Sequence, residues 1–409
     1  MRALHVSKSS EGACWAVRQV RELARLGVDV HVVLPHSFGA ALPAWKETGA
    51  ELHFLNCSLP VRLDKAWKAA SDVRRLVARV NPDIIHSHHV TTTTMLRLAL
   101  GKKHRLPRIF QVPGPLHLEH WHARNFELSL AGNKDFWIGA SRFINRLYRH
   151  AGVSKERIFL SYHSTDVSEF STRRTGLLRA MLDIPEDSFV VGNINLIYPP
   201  KRYLGQTMGL KRHEDVIEAI HLVQRQRDDV WGVLIGGSFG SAGKYEASIR
   251  RLAEEKGKGR ILMPGKFNSK QVAESWPDFD CAVHVPLSEN CGGVVEPLLC
   301  EIPTIAGEVG GLPEVVLEGR TGKLVAACRP ESLAEGILEV MQEYERYKRM
   351  AQVGRKLVTV MFDPQRCAAE VHSIYQHVLF GNKLPAEFDA HHFLNEPRMS
   401  EDSNSLVLA

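Results

Sequence analysis

Cysteine is scarce in this chain. Seven cysteines are scattered over 409 residues, the number is odd, and no Cys-x-x-Cys pair occurs. That excludes a disulfide scaffold and a cysteine-rich zinc fold, and the expectation is a reduced, cytoplasmic chain. Long apolar runs are also missing: none reaches the roughly 18 residues that a membrane-spanning helix needs. The opening Met1-Arg2-Ala3-Leu4-His5-Val6 runs at once into polar Ser7-Lys8-Ser9-Ser10. This stretch is too short for a signal peptide and reads as a first strand. Short repeats and low-complexity tracts are absent. Hydrophobic residues make up 44% and charged residues 24%, which excludes disordered, collagen-like and coiled-coil classes.

What is present is length and an uneven charge. A chain of 409 residues implies two domains or three. Residues 1–180 hold 27 Lys+Arg against 14 Asp+Glu, and the remainder holds 25 against 32. A basic first half suits an anionic partner, such as phospholipid headgroups or a phosphorylated acceptor; surface drift would give the same imbalance. Nucleic acid is not expected as a partner. The basic stretch Leu63–Val80 places Lys65, Lys68, Arg74, Arg75 and Arg79 around Ala70, Val73 and Leu76. Peripheral contact with an anionic membrane at the inner face is one reading; the modest apolar face fits an ordinary solvated helix better.

Apolar runs alternate with amphipathic ones. Ala3–Val6, Val28–Leu34, Asp83–His86, Arg108–Val112 and Phe136–Gly139 read as strands. Helices are expected at Ala13–Leu26, where Val17, Val20, Leu23 and Ala24 share a face, and at Asp64–Val80. The pattern restarts near Phe189 with Val190–Ile194, Val230–Ile235, Arg260–Met263, Cys281–Val285 and Thr304–Ala306. Such alternation means a parallel sheet flanked by helices, here twice. The expected organisation is a first Rossmann-like unit at 1–178, a second at 186–362, a helix at 363–380 crossing back to the first, and a weakly ordered tail at 381–409. Open parallel sheets bind ligands beyond the carboxyl ends of their strands, so functional residues should follow strands and face a cleft between the units.

The richest such segment follows Cys281–Val285: Pro286-Leu287-Ser288-Glu289-Asn290-Cys291-Gly292-Gly293-Val294-Val295-Glu296. A glycine pair lets backbone amides approach a phosphate at a helix start. Glu289 and Glu296 bracket it as acceptors for sugar hydroxyls. A second segment, Tyr198-Pro199-Pro200-Lys201-Arg202 and then Leu210-Lys211-Arg212, sets cations before a helix. Cations there are unfavourable unless an anion is shared, and a diphosphate would be such an anion. Gly236-Gly237-Ser238 ends another strand.

These segments resemble the family 4 retaining glycosyltransferases of the GT-B type. The family carries Glu-x7-Glu and then a Gly-x-Pro-Val-Ile-Ala-like strand. This chain has Glu296, Glu301-Ile302-Pro303-Thr304-Ile305-Ala306 and Gly310-Gly311-Leu312-Pro313-Glu314-Val315. The first glutamate departs, because Glu289 stands seven positions before Glu296 rather than eight, and Ser288 holds the strict position. The resemblance implies a nucleotide-diphosphate sugar as donor substrate, no metal or other cofactor, and a glycan, lipid-linked glycan or small molecule as acceptor. It implies Glu289 as the group holding the donor sugar and Glu296 as the ribose ligand. Asn290, Gly292, Gly293 and Val294 would border the donor, Arg202 and Lys211 would hold the diphosphate, and Gly237 and Gly12 would lie close to it. Relatives carry a histidine after the strand that ends here at Val112; Pro113 stands there, and His117 is the expected replacement. A non-catalytic nucleotide-sugar-binding or scaffold protein and a nucleotide-sugar epimerase are the alternatives.

Two tempting metal readings fail. His86-Ser87-His88-His89 has no carboxylate or cysteine at ligand spacing. Asp278-Phe279-Asp280 precedes its strand, which puts it at the amino end, opposite the cleft.

Overall fold

The computed structural model describes residues 1–59, 65–240 and 242–395. The first sheet comprises β1 (Arg2–Val6), β2 (Asp29–Leu34), β3 (Glu51–Phe54), β4 (Ile84–Ser87), β5 (Arg108–Val112), β6 (Asp135–Gly139) and β7 (Ile158–Leu160). Its spatial order is β3-β2-β1-β4-β5-β6-β7, all parallel. The second comprises β8 (Phe189–Ile194), β9 (Val230–Ile235), β10 (Ile261–Gly265), β11 (Cys281–His284), β12 (Thr304–Gly307) and β13 (Lys323–Val325), in the order β10-β9-β8-β11-β12-β13, again all parallel. The α/β doubly wound expectation holds for both halves. The central strands are buried on both faces, which is why they read as continuous apolar runs. β3, β7 and β13 escaped the sequence reading. Each sits at a sheet edge and is only three or four residues long.

The order of strands reverses between β1 and β4 in one sheet and between β8 and β11 in the other. Connections leave such a pair toward opposite faces, so their loops part and leave a crevice. The loops after β8 and β11 carry Lys211 and Glu289.

The helix Pro364–Phe380 is started by Asp363, whose carboxylate accepts from the Arg366 amide at 2.7 Å. It lays Ala368, Val371, Ile374 and Tyr375 into the core of the first domain, beside Ala16, Val20 and Ile109. A second joint is formed by Glu314. Its carboxylate accepts from the amides of Arg142 and Phe143, each at 2.8 Å, and from the Tyr162 hydroxyl at 2.9 Å. An acceptor from the second domain thereby satisfies free amides at the start of helix Arg142–His150 in the first.

One further departure has a local cause. The stretch 381–395, expected as a weakly ordered tail, ends in the helix Ala390–Asn395. Phe388, Phe393 and Leu394 pack on the second domain, while Arg142 bonds Glu387 at 2.8 Å and the Phe388 carbonyl at 2.7 Å. Its anchors have no helical period over 382–389, so periodicity missed them. The rest of the tail, 396–409, and the expected helix start at 63–64 lie outside the described residues; the basic helix is seen over Ala66–Val80. Among the described residues no helix is long and apolar enough to cross a membrane.

Candidate active site

The chain after β8 runs through Asn195 and Tyr198 to Lys211, which precedes the helix His213–Gln224. Arg212 has a left-handed φ of 53° and pairs with Asp215 at 2.7 Å. That pair offsets one cation at the helix start. The other, Lys211, reaches across the crevice and its Nζ contacts Oε2 of Glu289, with both side chains largely buried. The same oxygen lies 3.1 Å from Nε2 of His284 at the end of β11. On the far side of that ring, Nδ1 lies 3.2 Å from Asn195 Nδ2. A polar chain thus runs Asn195–His284–Glu289–Lys211 along the second domain's face of the cleft. Burial alone would raise the Glu289 carboxyl, but Lys211 and the His284 hydrogen bond outweigh it and hold the group far below the usual carboxylate range. Glu289 is ionised at any physiological pH. His284 is lowered chiefly by burial, so it is neutral.

The glycines here are required by close approach. A Cβ on Gly293 would stand 2.1 Å from His284 Nε2. Gly310, at φ +60°, would place a Cβ 1.9 Å from the Glu289 carbonyl. Only glycine lets the second Gly-Gly pair lie on the backbone of the first loop. The helix expected after the glycine turn is a single turn, Val295–Leu299, preceded by the 3-10 turn Gly292–Val294. Its dipole is correspondingly weak, so side-chain cations carry the positive potential of the site.

A cavity of ≈ 550 Å³ opens between the domains. Cys14 and Arg18 line it from the first domain, Thr165, Glu169 and Phe170 from the crossover, and Asn195, Tyr198, Lys211, Gly236, Lys266, Phe267 and Glu296 from the second. Arg18 is fixed by two bonds to the Ser164 carbonyl, at 3.0 and 2.7 Å. Glu296 accepts from the Trp276 indole at 3.0 Å through Oε2. Burial raises its pKa. Beside this cavity, one of ≈ 330 Å³ lies between Leu116, Glu119 and His120 and the loop Leu204–Met208 with Arg212 and Leu287. At its rim, Lys201 has a lowered pKa, from burial first and then from the nearby Lys8 of the first domain. A further cavity of ≈ 300 Å³, lined by Ile158–Leu160, Ile374 and Leu384–Glu387, lies away from these strand-end loops.

The sequence candidates therefore separate. Lys211 and Glu296 line the larger cavity; Glu289 meets Lys211, Gly293 packs on His284, and Asn290 donates its amide to Glu289 Oε1 at 3.0 Å. Val294 is buried beneath the turn and Gly292 is exposed. Gly236, rather than Gly237, lines the cavity. Gly12 lies two residues before the lining Cys14, with open space around its Cα. Arg202 is exposed in the 3-10 turn Arg202–Leu204 and lines neither cleft cavity; the second cavity-lining lysine is Lys266. His117 also stays out of both cavities. Its Nε2 lies 3.3 Å from the buried Tyr148 hydroxyl, its ring leans on Phe110, and burial lowers its pKa to about 4. A histidine turned into an apolar pocket gains that contact at the expense of reach into the cleft. Arg18, Asn195, Lys266 and His284 were not anticipated. His284 closes a strand just before the glycine turn, and that position was the available signal.

Asp278 accepts from the amides of Thr175, Gly176 and Leu178 at 2.9, 2.7 and 2.8 Å. Asp280 pairs with Arg174 and Arg179. Both carboxylates fasten the linker to the second domain. The His86–His89 run is likewise internal: His86 Nδ1 lies 2.6 Å from the Tyr375 hydroxyl and His88 Nε2 lies 2.9 Å from His5 Nδ1.

Two facing Rossmann-like domains with a charged interdomain crevice define the GT-B class. Family comparisons agree. Residues 15–169 match the model for Glycosyltransferase Family 4, and residues 202–357 match that for Glycosyl transferases group 1. The chain belongs to this family and is a glycosyltransferase. It is 22% identical over 367 residues to N-acetyl-alpha-D-glucosaminyl L-malate synthase of Bacillus anthracis, covering 82% of this chain and 92% of the relative. It is 24% identical over 402 residues to D-inositol 3-phosphate glycosyltransferase of Frankia alni, covering 89% and 94%. Among solved structures, Anabaena HepE in complex with UDP and glucose superposes with a TM-score of 0.77 at 18% identity, covering 92% of this chain and 99% of that one.

Proposed function

We propose that this glycosyltransferase moves a sugar from a nucleotide-diphosphate donor to an acceptor hydroxyl, with retention at the anomeric carbon and without a metal in the step. The observation that carries the reading is the junction of Lys211, which lines the larger cavity, with Glu289. A diphosphate placed there meets Lys211 and has Lys266 on the same wall. These cations can take up the charge that develops on the leaving group, which is the main electrostatic demand of the step. Glu289, ionised and steadied by His284, is suited to accept from sugar hydroxyls. Glu296 lines the same cavity, and its free oxygen is suited to ribose hydroxyls.

The acceptor enters from the first domain, beside the smaller cavity. Lys201, whose amide bonds the lining Gln206 at 3.0 Å, feels the like charge of Lys8 from the opposite domain there. An anionic group on the acceptor would relieve that repulsion, whether on a glycan, a lipid-linked glycan or a small molecule. The names of two relatives, one an N-acetyl-alpha-D-glucosaminyl L-malate synthase and one a D-inositol 3-phosphate glycosyltransferase, fit acceptors of that charge. Asp278 and Asp280, already engaged by amides and arginines, leave the leaving-group role to the lysines.

The test is to incubate the protein with UDP-, GDP- and ADP-sugars plus anionic acceptors, and to read product configuration by NMR. Transfer with the donor's anomeric configuration, unchanged by chelator, is the expected result. Inverted product, or abolition by chelator, overturns the corresponding part. Conversion of the donor sugar without any acceptor indicates an epimerase instead. Nucleotide-sugar binding with neither transfer nor donor hydrolysis indicates a binding or scaffold protein.

A further inference from the structure

We propose that the edge of the first sheet carries a transition-metal site of the zinc type, made by His31, Glu51 and His53. β2 and β3 are parallel neighbours in which His31 pairs with Glu51 and Val33 with His53. Side chains two apart on a strand share a face, so all three groups stand on one side of the sheet edge. Their donor atoms converge. His31 Nδ1 is 3.0 Å from His53 Nε2, and each lies 3.6 Å from a Glu51 carboxylate oxygen. A tetrahedral zinc with bonds of about 2.0–2.2 Å requires its ligand atoms about 3.3–3.6 Å apart. The two nitrogens stand within a few tenths of an ångström of that spacing, one meeting Glu51 Oε2 and the other Oε1, and the three donor atoms lie within 4.8 Å of one another.

The surroundings favour a metal as well. Asp29 Oδ1 lies 3.4 Å from His31 Nε2, and Asp29 is itself held by Arg2 at 2.6 Å. A carboxylate on the far nitrogen keeps the proton there and leaves Nδ1 with its lone pair, the arrangement that orients metal-bound histidines. The two rings stack at 5.2 Å with 9° between planes, and both are largely buried. Two imidazoles and one carboxylate select Zn2+ over Mg2+ or Ca2+, and the exposed Glu51 side leaves a fourth position to water. None of these residues lines either cleft cavity. The metal would bind the edge strand to its neighbour without entering the reaction.

The test uses the full, tag-free chain stripped with a chelator and titrated with Zn2+ by calorimetry, then with Co2+ by absorption. One Zn2+ per chain at micromolar or tighter affinity is expected, with the visible bands of four-coordinate Co2+. His53→Gln should abolish uptake. Asp29→Asn, which removes no ligand, should weaken it roughly tenfold or more. His120→Gln, away from this edge, should leave it unchanged, and circular dichroism checks that each variant folds. No uptake at micromolar Zn2+, or equal uptake by wild type and His53→Gln, overturns the site.

Discussion

Histidines close the central strands of both sheets, and the two sets serve different ends. In the first domain His5, His86 and His88 are fully buried with His86 stacked on both others; His86 and His5 meet the hydroxyl of Tyr375 in the returning C-terminal helix, and His88 meets His5. In the second, His284 turns to a carboxylate at the cleft. The residue type and its place at a strand end are the same; the partner decides the outcome. A histidine whose nitrogens are taken by a distant helix joins domains. One whose nitrogen meets Glu289 holds a carboxylate beside Lys211.

That contrast is open to direct attack. The largest effect is expected from Glu289→Gln, which should lower kcat/KM roughly 10²–10³-fold with the fold kept, as steady-state kinetics would show. Activity within a few fold of wild type would remove Glu289 from the site. Next comes acid. Burial lowers His5 and His163 to about 3 and His89 to about 4, from an ordinary 6.5. These groups are neutral when folded and take up protons on unfolding, so stability is constant above about pH 6.5 and falls below it. The expected slope is about 1.4 kcal/mol per pH unit for each such histidine. Glu289, held low, contributes stability lost only below the ordinary carboxylate range. Hydrogen exchange between pH 7 and 5 should therefore weaken first-domain amides first, and loss starting in the second domain would contradict the comparison. Tyr375→Phe leaves His86 Nδ1 and His5 Nε2 without their hydroxyl; urea unfolding should register about 1–3 kcal/mol lost, with donor affinity unchanged. The smallest effect is on the acceptor: Lys8→Ala should raise the acceptor KM about tenfold, worth about 1.4 kcal/mol, and leave the donor KM alone.

The comparison also marks how far sequence carries. Both sheets were legible because strands buried on two faces read as apolar runs, while β3, β7 and β13, short and at edges, carry too few residues to show a period. Gly293 and Glu296 stood out because they follow a strand in a glycine turn at the start of a helix, which is a local pattern. Lys211 was legible through its cost at a helix start. The partners were not: Lys211 and Glu289 lie 78 positions apart, and adjacency of β8 and β11 is a property of topology. His117 shows the same limit from the other side, since nothing local reveals that Tyr148 draws it inward. Arg202 stood next to a plausible diphosphate loop, yet the 3-10 turn carries it to the surface.

The most direct test is equilibrium binding of a nucleoside diphosphate and its parent nucleoside to wild type and to Lys211→Ala. Wild type should prefer the diphosphate strongly, and the variant should lose most of that preference while binding the nucleoside as before. Equal losses for both ligands would place the phosphates elsewhere and contradict the assignment of the Lys211–Glu289 junction.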